Sequence, residues 1–257
     1  MRYSIRLSYD GSAFCGWQIQ NNAPSVQDTI ETALSTLLGQ AVQITGAGRT
    51  DTSVNAINYI AHFDVPTELP IEAERLCYKI NAMLPREIVI HEILMVSDDF
   101  HARFDAQSRE YCYFLHFCKD PFADKFSYRM RYRLDIDAMN QAASMLSGTH
   151  DFSCFEKTGG NNATSICTIT EASWSFYKPT HISLMGMPYV EGDYMVFRIK
   201  ADRFLRNMVR AIVGSLIEVG RGKKRPEWIP ELIASGSRCA AGQSVPGNAL
   251  FFCGAEY

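Results

Sequence analysis

Two stretches of this sequence lay down nearly the same order of hydrophobic periods, and that order limits the fold more than any other feature. In the first, Tyr3, Ile5, Leu7 and Tyr9 alternate and end at Asp10-Gly11, the pattern of a half-buried strand and its turn. Ser25, with Asp28 three residues on, resembles a capping box, and Val26, Ile30, Ala33, Leu34, Leu37 and Leu38 hold a helical stripe that Gly39 stops. Val42 and Ile44 suggest a short strand before a Gly-rich turn. Ile57, Tyr59, Ala61 and Phe63 then alternate as another strand. Pro70 is expected to open a helix carrying Ile71, Leu76, Ile80, Ala82 and Met83, closed by Pro85, and residues 88–96 read as a strand. The order is βαββαβ.

The second half shows a similar pattern without a matching sequence repeat. Strands are expected at 111–117, 166–177, 194–200 and 250–257, with a capped helix at 135–146, a long helix at 203–219 and a shorter one after Pro226. Residues 159–164 read as a loop inside this half. The expected fold is α+β: two ferredoxin-like, RRM-like βαββαβ units with mainly antiparallel sheets meeting at a central cleft. Residues 1–105 would form the first unit and 106–257 the second. A chain of 257 residues has room for two such cores.

No apolar run approaches the roughly 20 residues that span a bilayer, and the N-terminus carries no signal-peptide apolar block. The eight cysteines are scattered and include no Cys-x-x-Cys, which suits reduced thiols in a cytoplasmic protein. Cys112, His116 and Cys118 match no common zinc spacing; on an alternating strand they share a face and read as packing. No metal site is expected.

The net charge of −3 speaks mildly against a nucleic-acid partner until it is divided along the chain. Residues 1–107 hold 7 basic and 13 acidic residues, whereas residues 108–257 hold 18 and 15. Three basic clusters lie in the second half. Arg129, Arg131 and Arg133 alternate, so extended backbone would set them on one face. Arg203, Arg206 and Arg210 share one face of the expected long helix, and Arg221, Lys223, Lys224 and Arg225 follow it. Solvated helix faces account for each cluster singly. Together they make phosphate contact credible, because phosphate neutralisation is local.

The segment most suggestive of chemistry is Gly46-Ala47-Gly48-Arg49-Thr50-Asp51-Thr52-Ser53-Val54-Asn55-Ala56, a polar turn between two expected strands. Asp and Thr also serve ordinary turns by bonding local backbone. A dinucleotide fingerprint does not fit, since the third glycine is missing and a strand follows. With no nucleophile elbow, Walker A or His-Glu-x-x-His in the chain, an enzyme built on this sequence must use a carboxylate helped by Arg or Tyr.

Gly48-Arg49-Thr50-Asp51 resembles the motif Gly-Arg-Thr-Asp-x-Gly-Val-His of the tRNA pseudouridine synthase A family. The likeness extends to Tyr9-Asp10-Gly11 with Phe14, Gly16 and Trp17, to Ser25-Val26-Gln27, and to Phe100-His101-Ala102-Arg103-Phe104. It continues through Arg109-x-Tyr111-x-Tyr113, Gly148-x-His150-Asp151-Phe152, and the segment from Phe204 to Gly214 that includes Asn207-Met208-Val209-Arg210. Each fragment is weak singly; in this order they cover nearly the whole chain.

The resemblance implies conversion of uridine to pseudouridine at positions 38–40 of the tRNA anticodon arm, without metal or cofactor, by a homodimer. Asp51 would be the essential carboxylate, either attacking ribose C1′ or removing a proton to give a glycal; both routes stay open. Either answers the oxocarbenium-like charge that develops as the N-glycosidic bond breaks. Tyr111 would be the active-site tyrosine that stacks on the base and could take the C5 proton, and Arg210 would pair with the aspartate. Arg49, Arg103, Arg203 and Arg206 are expected to hold RNA. Ser53 and Asn55 depart from the family's Gly and His. A positive φ at Ser53 would carry strain, and Asn55 cannot titrate near neutrality. The competing class is a non-catalytic RRM-like RNA-binding protein, but the chain lacks the RRM aromatic signature and such a protein needs no Gly-Arg-Thr-Asp turn.

Overall fold

In the computed structural model the alternation at Tyr3, Ile5, Leu7 and Tyr9 becomes strand β1 (Arg2–Tyr9), buried at every second residue. The structure describes residues 1–157, 159 and 163–257; residues 160–162 of the loop expected at 159–164 lie outside them. Helix α1 (Val26–Leu38) starts where Ser25 accepts the Asp28 amide at 3.2 Å and ends at Gly39, left-handed at φ 65°. Strand β2 (Ile44–Gly46) and strand β3 (Asn55–Asp64) pair antiparallel, with Ile44 opposite Phe63. Helix α2 (Ala73–Met83) begins later than expected: Glu72 is extended at ψ 142°, so Pro70 stays outside the helix. Strand β4 (Ile88–Val96) closes the βαββαβ order and pairs antiparallel with β1.

This first unit has a sheet in the order β4-β1-β3, joined at β3 by strand β10 (Leu250–Glu256). Its core includes Ile5, Leu7, Ile30, Leu34, Tyr59, Phe63 and Leu76, all fully buried. Each such side chain contributes about 1.5–3 kcal/mol relative to exposure. Asn81 ties α2 to the sheet: its amide donates to Ile90 O at 2.7 Å, and Ile90 N donates to its Oδ1 at 2.8 Å.

The compact units are Met1–Arg109 with Phe251–Tyr257, and Glu110–Leu250. A linear division at 105/106 therefore misses the return of the last strand. Phe251 and Phe252 lie opposite Asn55 and Ala56 in a parallel pairing, and the Phe252 ring meets Tyr59 edge-on at 5.2 Å. Alternation marks 250–257 as a strand but cannot name its partner, which is a long-range choice made by packing.

The second unit begins in strand β5 (Ser108–His116), which pairs parallel with the two-residue strand β6 (Tyr128–Arg129). Helix α3 (Ile136–Ser144) is capped by Asp135, whose Oδ1 accepts the Ala138 amide at 2.9 Å. Strands β7 (Gly148–Asp151) and β8 (Ile166–Phe176) follow, then helix α4 (Thr180–Met185), strand β9 (Tyr194–Ala201), helix α5 (Met208–Gly220) and helix α6 (Trp228–Ser235). The sheet order is β5-β9-β8-β7. The class is thus α+β with mostly antiparallel pairing. The sequence did not reveal β7, four residues without apolar alternation, or α4, less than two helical turns.

Two basic clusters are arranged differently from expectation. Helix α5 starts at Met208 because Asn207 sits at φ 63°, outside helical backbone, so Arg203 and Arg206 precede the helix and only Arg210 lies on it. The extended backbone of β6 ends at Arg129, and the chain bends at Arg131, so Arg129, Arg131 and Arg133 do not form one strand face. Arg133 pairs instead with Asp193, donates to Gly192 O at 2.8 Å and lies over Phe117. The third cluster is partly neutralised: Arg221 and Lys223 pair with Glu218, and Arg225 with Glu231.

The Cys112, His116 and Cys118 run is occupied by internal bonds. His116 is buried between Ser127 Oγ and Asp124 Oδ1, each at 2.9 Å, while the Cys118 thiol donates to Tyr194 Oη. Among the described residues no three His, Cys, Asp or Glu side chains are grouped to hold a metal ion, and no helix is long and apolar enough to cross a membrane. Burial pushes the Cys154 and Cys167 thiols up to about 12, so neither is a ready nucleophile.

Candidate active site

The chain between β2 and β3 is pinned on both sides of Asp51. Ala47 N donates to Ile60 O at 2.8 Å, Gly48 N donates to Tyr59 Oη at 3.2 Å, and the same hydroxyl donates back to Gly48 O. Thr50 is buried, with Oγ1 2.9 Å from Tyr9 Oη and its carbonyl accepting Trp17 N at 3.2 Å. Beyond the aspartate, Val54 N donates to Asp51 O at 3.1 Å and closes a tight turn, while Ser53 N donates to Phe14 O at 3.3 Å. Asn55 Oδ1 then accepts the Gly11 amide at 2.9 Å. The Asp51 side chain itself is half-buried.

Two features explain this shape. Ser53 adopts φ 64°, the left-handed value a turn of this kind needs at its third residue, where the family motif has Gly. Gly16, at φ 97°, approaches so closely that a Cβ there would stand 2.3 Å from Thr50 O. Beneath the turn, Trp17 packs on Tyr59 with ring centroids 4.2 Å apart, and Tyr9 meets Tyr59 edge-on at 5.8 Å. Offset aromatic pairs of this kind add about 0.5–1.5 kcal/mol each beyond their burial. The carboxylate is therefore presented by a loop whose backbone is hydrogen-bonded on both sides of it.

Arg49 points outward and donates to Gln18 Oε1 at 3.0 Å. Arg103 is exposed, its guanidinium 5.6 Å from the Phe104 ring centre. Arg109, quoted in the sequence motif without a role, proves to be a brace. Its guanidinium donates to Ala106 O at 3.0 Å, to Arg103 O, and to Ala47 O at 3.4 Å. It thereby ties the loop that carries Arg103 to the root of the Asp51 loop. Only an arginine just after the Phe-His-Ala-Arg-Phe run hinted at this, and carbonyl acceptors far away in sequence leave no pattern.

In the second unit Tyr111 lies on β5 with its ring buried, edge-on to Phe204 at 5.1 Å. Arg210 sits in the first turn of α5, and its Nε donates to Val245 O at 2.8 Å. A cation there opposes the helix dipole, so helix stability does not account for it. Arg203 is half-buried, with its amide donating to Asp202 Oδ1 at 2.7 Å; Arg206 is exposed and its carbonyl accepts Lys157 N at 3.0 Å. Tyr113, by contrast, donates its hydroxyl to Pro246 O at 3.0 Å, and burial raises its pKa far above the ordinary phenol value.

Fold and turn together define an α+β protein that presents an acidic side chain from a preformed loop. A model of the tRNA pseudouridine synthase family matches residues 142–257. Over 250 residues the chain is 45% identical to the tRNA pseudouridine synthase A of Porphyromonas gingivalis, covering 97% of this chain and 94% of that one. It is 46% identical to that of Parabacteroides distasonis and 43% identical to that of Bacteroides fragilis, in both cases over 100% of this chain and 96% of the other. The chain belongs to the tRNA pseudouridine synthase A family, whose members are isomerases.

Proposed function

We propose that this enzyme converts one or more of uridines 38, 39 and 40 of the tRNA anticodon arm to pseudouridine, with Asp51 as the reacting carboxylate. The observation that supports it most is the pinned turn, which holds a half-buried aspartate between fixed neighbours. In the reaction the N1–C1′ bond breaks, the base turns, and a C5–C1′ bond forms. The C5 proton is lost to solvent and N1 gains one, leaving the composition unchanged. Asp51 acts at the sugar, by attack on C1′ or by proton removal to a glycal, and a preorganised group needs no rearrangement as charge develops. Tyr111 is assigned to the base and Arg210 to the aspartate, both on the family resemblance. Arg49, Arg103, Arg203 and Arg206 are assigned to RNA. The target base must leave its stack, as for other enzymes that act on bases.

Tritium release from tRNA labelled at uridine C5 tests the proposal. Wild type should release label, and Asp51→Asn should lower the rate by about 10³-fold or more. Unchanged release in the variant would overturn the role of Asp51, and no release from wild type would favour the RNA-binding alternative. Mapping the modified positions tests the anticodon-arm assignment. We also propose a homodimer as the working form; sedimentation that shows only monomer at micromolar concentration would refute it. The cytoplasm, where buried thiols such as Cys154 stay reduced, is the expected compartment.

A further inference from the structure

The segment after β4 displays an aromatic ring on an unusually well-tied loop. Phe104 is 74% exposed, although it lies between Ala102 and Ala106, both buried. The loop around it is held at almost every residue. Arg2 donates to Phe100 O at 2.8 Å, and His101 N donates to Asp105 Oδ2 at 2.7 Å. Ala102 N donates to His62 Nδ1 at 3.1 Å, and Ala102 O accepts the Tyr257 hydroxyl at 2.7 Å. The Arg103 and Phe104 amides both donate to His101 Nδ1 at 3.2 Å, while Arg109 takes the Arg103 and Ala106 carbonyls. The ring itself is oriented by His101, with centroids 4.2 Å apart at 32°, and by the Arg103 guanidinium.

A single exposed apolar residue is unremarkable on a protein surface. This one differs because the loop beneath it is so fully bonded that the ring has a fixed place and direction. The Arg103 guanidinium lies over the ring, 5.6 Å from its centre, and through Arg109 the loop is bonded to Ala47, four residues before Asp51. A rigid aromatic face beside a guanidinium suits an unpaired nucleobase with its phosphate, since stacking tolerates any base and the cation meets the backbone.

We propose that Phe104 is a stacking platform for an unpaired base of the RNA substrate, with Arg103 contacting the adjoining phosphate. The platform binds RNA and takes no part in bond making. It rests on the reading of this enzyme as acting on tRNA. Alanine substitution at base-stacking aromatics costs about 1–3 kcal/mol, which corresponds to about 5- to 140-fold in affinity.

The test uses the full-length enzyme and unmodified tRNA, with binding measured in the Asp51→Asn background and turnover in the otherwise native one. Phe104→Ala should raise Kd and KM by about 5- to 140-fold and leave kcat at saturating tRNA near the wild-type value. Phe104→Leu should lose nearly as much, because it keeps apolar bulk without a π face, and Phe104→Trp should restore binding. In Phe104→Trp the added emission, read as the difference from Asp51→Asn alone, should be quenched by tRNA. Wild-type affinity in both the Ala and Leu variants, or in Leu alone, would overturn the stacking role while the isomerase reading stands. A change in sedimentation without a change in tRNA binding would overturn it in favour of a second copy of the chain. Absence of label release by wild type would instead bring down the isomerase reading itself.

Discussion

The backbone amide of Gly11 donates to Asn55 Oδ1 across 2.9 Å, and both groups are buried. This bond joins the end of β1 to the start of β3 just past the Asp51 turn, at a position where the family motif carries His. Asn55 therefore has structural work that needs an acceptor and no titration. The nearby Gly11 has no room for a side chain, since a Cβ would stand 2.1 Å from Val54 O.

Asn55→Ala leaves the buried Gly11 amide without this acceptor. Stability should fall by about 1–3 kcal/mol, read as a lower urea midpoint at unchanged m value. A midpoint equal to wild type would mean that the bond does not hold the turn.

Ser53→Gly should relieve the left-handed backbone at φ 64°. A non-glycine residue there costs about 1–2 kcal/mol, of which glycine's greater unfolded-state freedom cancels about 0.5–1 kcal/mol. The expected outcome is a stabilisation of about 1.5 kcal/mol or less with label release retained. Destabilisation would show that the Ser53 side chain contributes more than its backbone costs.

Stability should also fall in mild acid through His62. Burial, aided by the Arg2 and His101 charges, lowers its pKa from the ordinary 6.5 to about 4, and its Nδ1 accepts the Ala102 amide. Between those two values the unfolded chain binds a proton that the folded chain does not. This contribution is therefore fully present above about pH 6.5 and is lost progressively as pH drops toward 4. Unfolding free energy measured across that range should slope less in His62→Gln than in wild type; parallel curves would refute it.

Arg109→Lys keeps the charge but not the planar fork that reaches three carbonyls. A lysine reaches fewer of them, so stability should drop by about 1–3 kcal/mol and tRNA turnover should slow as the Arg103 loop loosens. Full activity in the lysine variant would show that the tie to Ala47 is dispensable.

Salt provides a separate test of Arg103. If its guanidinium meets a phosphate, Arg103→Ala should weaken tRNA binding and reduce the slope of log affinity against log salt by about 1. An unchanged slope would exclude a phosphate contact there.

Much of the local structure was legible in the residues. Ser25 and Gly39 bracket α1, Asp135 caps α3, and alternation marks β1, β3, β4, β8 and β9 close to their observed ends. These signals are local, because caps and periodicities act within a few residues. Asp51 stood out for the same reason, in a compact motif of contiguous residues. The arginine face expected from Arg203, Arg206 and Arg210 failed at one backbone angle: Asn207 at φ 63° delays α5 until Met208, and no periodicity discloses such an interruption.

By itself, then, the sequence determined the α+β class, most element positions and the family likeness, and it singled out Asp51 as the carboxylate to test. Tertiary structure alone decided that β10 pairs with β3, that Asn55 holds Gly11, and that Arg109 spans from Arg103 to Ala47. The reason is physical. Hydrogen-bond acceptors and strand partners tens to hundreds of residues away are selected by packing, whereas helix caps and hydrophobic periods are selected by neighbours in the chain.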